Sequence, residues 1–396
     1  MVLNVLSFLS IVGITIILGY IGNLIFDKTK IPDIIWLILF GLLVSHMNIV
    51  DKSIFIASSE IMCSIAIAFI LFDSGINIKL IDIIKGVPRG LLLAILGIFF
   101  NTIAVTFVGF FFLKFDILNS ILLGLIISGT SSPIVITILN KLKIKENIRS
   151  ILNVESIITD ALVIVLSLFL LNFLTQSIKE VNIKIIISLI LSSFSISIFL
   201  GIVFGVIWLY LLQKIKGKEY DYMLTISVLL LLYVFSELNN ASGAISALIF
   251  GLILGNKDIF SKFIKIQTSE LEEKYMHNFY NQITFFIRSF FFVFIGLIIS
   301  IKLSALIYGI LITTVFILLR FLTIRISLIK IKISYQELKL ISNIIPRGLA
   351  AAVLAIFAKN LGLASGQTIL DITFTIILVT VIYTTLAITI FYRSKA

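Results

Sequence analysis

Residues 116–162 read DILNSILLGLIISGTSSPIVITILNKLKIKENIRSILNVESIITDAL, two long apolar runs joined by a short basic loop. Each run is long enough to cross a bilayer as a helix, which takes roughly 20 mostly apolar residues. The first is interrupted by Pro133, preceded by Thr130, Ser131 and Ser132, and the second carries Glu155, Ser156, Thr159 and Asp160. Proline inside a helix removes a hydrogen bond and clashes with the preceding turn, so the first run is expected to break or kink there. In the second run, helical spacing puts Glu155 and Thr159 on one stripe and Ser156 and Asp160 on the adjacent one. An ionisable residue at the bilayer centre is unfavourable by about 2.5–3.5 kcal/mol on insertion scales, so this face has to look into a protein cavity.

The rest of the chain repeats the pattern. Apolar residues make up 60% of the 396 residues and charged ones only 13%, with a mean hydropathy of +1.20. No soluble core needs that composition. Lipid leaves backbone amides without water, and continuous rather than alternating apolar runs select helices over a barrel. The expected fold is therefore an all-α integral membrane protein with about thirteen transmembrane helices. The spans lie near 2–26, 32–49, 53–77, 88–113, 116–140, 150–174, 182–212, 221–237, 240–256, 278–300, 303–328, 338–358 and 367–392. One membrane domain, 1–396, accounts for the whole chain, with no soluble regulatory domain expected. The first run is too long for a signal-peptide core and lacks a basic leader, so it is read as a retained span.

Basic residues resist translocation and collect in cytoplasmic loops. With the N-terminus outside and the C-terminus cytoplasmic, inner loops receive 21 Lys and Arg and outer loops 6, and the remaining four, Arg288, Arg320, Arg325 and Arg347, fall inside spans. The net charge of +11 is thus a topology signal rather than a nucleic-acid footprint. Cys63 lies alone in an apolar stretch, and His46 and His277 fall at span ends. Arg288 and Arg325 lie near inner ends, where long side chains snorkel to the interface. Glu60, Glu237 and Asp371 lie nearer span ends and are expected to be solvated or to cap helices.

Pro346 interrupts the twelfth span as Pro133 interrupts the fifth. With 182–212 as a linker helix, 1–174 and 221–396 become two six-helix halves of opposite orientation, with the breaks at matching places. Paired interruptions in inverted halves point to a transport site near the midplane. An unwound segment at Pro133 would free carbonyl oxygens, and the neighbouring hydroxyls would add hard oxygen ligands of the kind alkali cations accept.

Taken in order, LFDSGINI (71–78), TSSPIVI (130–136), VESIITDAL (154–162), FSELNNASGAISALIFGLILG (235–255), FFFVFIGL (290–297) and PRGLAAAVLA (346–355) resemble the monovalent cation:proton antiporters, relatives of sodium/proton exchangers, over essentially the full length. The resemblance implies a homodimer whose core helices 5 and 12 are broken and cross. It implies that Asp160 alternately binds a monovalent cation and a proton, with Thr159, Ser156, Thr130, Ser131, Ser132 and Asp73 around it. It also implies structural pairs of Glu155 with Arg320 and of Asp73 with Arg347. Three stretches depart from the common pattern. Thr159 stands where many relatives have Asn, Ser131-Ser132-Pro133 where many have Thr-Asp-Pro, and Asp73 where Glu is usual.

The expected activity is secondary active exchange of a monovalent cation, Na⁺ first and K⁺ as the alternative, for protons across the plasma membrane by alternating access. One carboxylate, Asp160, cannot hold both ions at once, which couples them. No cofactor is expected beyond the transported cation and H⁺, and no partner beyond the lipid bilayer and a second copy. A cation channel would ordinarily show a filter loop and subunit symmetry. An enzyme would need a metal constellation or a catalytic pair, neither of which the sequence offers.

Overall fold

The computed structural model describes residues 2–29, 32–47, 58–78, 80, 88–142, 144–175, 183–215, 220–264, 270–299, 302–329 and 334–393. Among these, the regular structure is helical. The helices are α1 (Val2–Thr29), α2 (Asp33–His46), α3 (Ser59–Asn77), α4 (Pro88–Phe111), α5 (Ile117–Ser128), α6 (Ser132–Lys141), α7 (Glu146–Thr175) and α8 (Ile183–Ile215). They continue as α9 (Asp221–Leu238), α10 (Gly243–Gly255), α11 (Lys257–Ile264), α12 (Glu270–Ile298), α13 (Leu303–Ser327), α14 (Tyr335–Ser342), α15 (Leu349–Asn360) and α16 (Gly366–Arg393). Nine helical spans among the described residues are long and apolar enough to cross a membrane, and four shorter apolar helices accompany them. Each overlaps one of the apolar runs read from the sequence. Several loop lysines behind the expected orientation, among them Lys30, Lys52, Lys85, Lys216 and Lys332, lie outside the described residues.

Helix α4 shows why these elements suit lipid. Leu92, Ile95, Phe99, Ile103 and Phe107 form an exposed stripe, while Leu93, Ala94, Ile98, Val105 and Val108 are buried on the other side. A helix apolar all round that leaves one side uncovered by protein belongs in hydrocarbon, not in water.

The helices gather into two compact units. The first comprises residues 1–63, 87–175 and 288–396, and the second 64–86 and 176–287. In the second, small residues let backbones touch. A Cβ at Gly251 or Gly255 would strike the α3 backbone at Phe72 or Ile76, so α3 and α10 pack without intervening side chains. Phe72 then lies stacked on Phe250 at 5.7 Å between ring centroids and edge-on to Tyr280 at 5.3 Å.

The first unit carries both interruptions. Helix α5 ends at Ser128, Gly129 to Ser131 run extended, and α6 starts at Ser132. Pro133 therefore falls in the first turn of α6, where a missing N–H is harmless, rather than kinking a continuous helix. The second interruption, 343–348, separates α14 from α15 and contains Pro346 and Arg347. The two breaks meet: the Ser131 amide donates to the Pro346 carbonyl at 2.9 Å. A Cβ at Gly348 would collide with the Ser131 side chain, so this close approach needs glycine.

Candidate functional site

An interrupted helix exposes a partly negative C-terminus and a partly positive N-terminus inside the membrane. At the first break each end meets a side chain of the matching sign. Ser132 opens α6, and its amide and hydroxyl both donate to Oδ2 of Asp160, at 2.8 and 2.7 Å. Gly129, just beyond α5, has its carbonyl capped by the Arg347 guanidinium at 2.7 Å. Arg347 also lies over the Phe316 ring, 4.4 Å from its centroid, and its charge reaches Asp160 and Glu155.

Helix α7 supplies the rest. Thr159 Oγ1 accepts from the Thr130 amide at 3.2 Å and lies 3.2 Å from the Thr130 hydroxyl, which donates to Glu155 Oε1 at 3.3 Å. Glu155 is held bidentately by Arg320 of α13, at 2.7 and 2.9 Å, with both side chains buried. Two parallel bonds between a planar guanidinium and a carboxylate are the strong form of such a pair. Thus Thr130, Ser132, Glu155, Thr159, Asp160, Arg320 and Arg347 form one continuous hydrogen-bonded or charge-coupled group across the break.

Not every expected residue turns into that group. Ser156 is buried, but its hydroxyl donates back to the Asn153 carbonyl at 3.0 Å. Ser131 contributes its amide to the other break and its side chain to the contact with Gly348. Asp73, half-buried on α3, belongs to the second unit, so its pairing with Arg347 stays a proposal, and the partners of Arg347 described above lie in the first unit.

Sequence reasoning missed three things. Arg288 does not snorkel: it donates to Asp33 Oδ2 at 2.9 Å, with both side chains largely covered. Asp371 is neither solvated nor a cap, but buried and paired with Lys302 at 2.8 Å. Two threonines of α16 also fasten the second break, Thr380 accepting from the Arg347 amide at 3.0 Å and Thr384 from the Ile345 amide at 3.3 Å. Thr380 and Thr384 lie one turn apart on α16, a spacing visible in the sequence once the break is known.

Comparison with known proteins identifies the family and the fold. Among curated relatives, the probable Na⁺/H⁺ antiporter 2 of Methanocaldococcus jannaschii is 28% identical over 76% of this chain and 71% of that protein. The K⁺/H⁺ antiporter NhaP2 of Shewanella sp. strain ANA-3 is 26% identical over 51% of this chain, which spans only 35% of that longer protein. The structure of the sodium proton antiporter MjNhaP1 from Methanocaldococcus jannaschii at pH 8 superposes with a TM-score of 0.80 over 98% of this chain and 99% of that one, at 24% identity, and so shares the fold. The sequence profile of the transmembrane sodium/hydrogen exchangers matches residues 13–393, and the chain therefore belongs to that family of transporters.

Proposed function

We propose that this chain exchanges Na⁺ for protons across the cell membrane by alternating access, one for one, as a homodimer with its N-terminus outside. Asp160 carries the exchange. It is a buried carboxylate set against the start of α6, with Ser132 donating twice to one oxygen, and the hydroxyls of Thr130 and Thr159, 3.2 Å from each other, belong to the same break and the same helix. The cation and the proton compete for that carboxylate, and hard oxygen donors suit an alkali cation. Opposite orientation of the two halves would let the same two breaks face either side in turn. The name of the first relative above supports Na⁺, whereas the NhaP2 match makes K⁺ the second reading.

The one-for-one ratio rests on the run Thr159-Asp160, which offers a single carboxylate where two adjacent ones would carry two protons. Both ideas are read in proteoliposomes. Asp160→Asn should insert and fold yet exchange at less than a tenth of the wild-type rate, and a faster rate refutes the assignment. A net charge moved across the membrane is worth about 2.3 kcal/mol per 100 mV. The ion gradient at which wild-type flux vanishes should therefore stay fixed when a potential is clamped, and a shift would sink the ratio. Equal fluxes with Na⁺ and K⁺ would leave the preference for Na⁺ without support.

A further inference from the structure

A cleft in the first unit lies against α6, the helix whose first residue, Ser132, holds Asp160. Its wall includes Asn23 of α1, Asp33 of α2, Arg288 of α12, and Pro133 and Thr137 of α6. Pro133 adjoins Ser132, the double donor to Asp160, so one wall residue of the cleft is the chain neighbour of the carboxylate's own partner. Ile134 is the third α6 residue of the wall and is buried, whereas Pro133 and Thr137 are half-buried. Asp33 and Arg288 form their 2.9 Å pair in this wall.

The two helices are also joined at a point away from the pair. Farther along α2, a Cβ at Gly41 would fall 2.8 Å from the Cα of Gly296 in α12, so those backbones already lock together. A largely buried ion pair is in any case weak evidence for a purely stabilising role. Its place in the cleft gives it a different one. Charges in a low-dielectric wall act on a passing ion far more strongly than in water. Asp33 alone would draw in a cation and hold it; Arg288 alone would turn it away.

We propose that Asp33 and Arg288 form a charge-balanced entrance to the Asp160 site, in which Asp33 attracts the incoming cation and Arg288 keeps it from lodging there. This rests on the exchange proposed above. Neither residue binds the transported ion at the site itself; both set how readily it arrives and leaves.

The test is the half-saturating Na⁺ concentration for exchange in proteoliposomes. Asp33→Asn should raise it at least threefold, and Arg288→Gln should lower it at least threefold while reducing the maximal rate, because departure slows. The double substitution should return it to within twofold of wild type. Because the pair is largely buried and a single substitution could unfold the protein, Thr137→Lys and Thr137→Asp place either charge in the same cleft without touching the pair. They should shift the value up and down respectively. Shifts of the same sign in Asp33→Asn and Arg288→Gln, or values within twofold of wild type for both Thr137 variants, overturn the entrance even if Asp160→Asn abolishes exchange. Absence of Na⁺-dependent proton flux in the wild type overturns the entrance and the exchange together.

Discussion

The two breaks that meet in the first unit solve one problem in two ways. Each leaves backbone amides without helical partners, which must be satisfied because unpaired polar groups in an apolar interior are unfavourable. At the first break, α7 supplies Thr159 to the Thr130 amide and the carboxylate of Asp160 to the Ser132 amide. At the second, α16 supplies two threonines, Thr380 and Thr384, to the amides of Arg347 and Ile345. One fastening contains a group that can gain or lose a charge, and the other is made of neutral hydroxyls. A threonine serves the backbone as well as an aspartate does, so structure alone does not require Asp160 to be charged. The difference separates support from chemistry: the first break holds the carboxylate proposed to bind the ion, while the second offers Arg347, whose guanidinium reaches back to cap the first break.

If the charge at the first break is structurally anchored, the largest effect should come from its ion pair. Removing either Glu155 or Arg320 leaves the other buried and unpaired, which should destabilise by about 3–5 kcal/mol, while removing both should be milder. Glu155→Gln, Arg320→Gln and the double variant can be compared by unfolding in detergent. A double variant no more stable than the worse single one would break the pairing and, with it, the contrast between a charged and a neutral break.

A smaller effect is expected at the second break. Thr380→Val or Thr384→Val strips a buried amide of its acceptor without changing shape much, for a loss of about 1–3 kcal/mol. If this break only supports, the half-saturating Na⁺ concentration should stay within twofold of wild type in both variants. A larger shift would mean that the second break takes part in binding, and the division drawn above would fail.

How far the sequence reaches depends on what each residue must satisfy. Both breaks were legible because proline and clustered hydroxyls leave a local signature. Asp160 and Glu155 were legible because a carboxylate in an apolar run has few bland explanations. Partners were harder. Arg320 was matched to Glu155 through the family resemblance, but Arg288 was assigned to the interface because hydropathy shows where a span ends, not which helix lies alongside. Asp33 opens α2 among apolar residues, close against α1 at Gly22, where a Cβ would lie 2.9 Å from the Asp33 Cβ, and nothing local records that Arg288 of α12 comes beside it. Asp371 was misread for the same reason. It sits near the start of α16, and nothing local records that Lys302, 69 positions earlier, comes beside it.

The smallest effect is expected at the start of α14, the helix that leads to the second break. Ser334 and Glu337 form a capping box: the Glu337 amide donates to Ser334 Oγ at 3.2 Å, and the Ser334 amide donates to Glu337 Oε2 at 2.9 Å. The same carboxylate takes a bond from Lys145, just before α7, at 3.1 Å, so it ties the loop between α6 and α7, beyond the first break, to the segment leading to the second. Partial burial would push the Glu337 carboxyl up, but the Ser334 amide, the Lys145 ammonium and the Ser334 hydroxyl together outweigh it and hold the carboxyl below the usual range. A carboxyl held low in the folded state adds stability above its unfolded value of about 4.3, and that contribution disappears as pH falls through the folded value. Lys145 is half exposed, so solvent screens the pair and Lys145→Ala should lose less than about 1 kcal/mol near neutral pH. Glu337→Ala, which also removes the cap, should lose more, about 0.5–2 kcal/mol. The difference between Lys145→Ala and wild type should shrink toward zero in acid, where Glu337 is protonated and has no charge to offer. A difference that persists undiminished there would mean that Lys145 stabilises through another neighbour, and that the tie between the two breaks is not electrostatic.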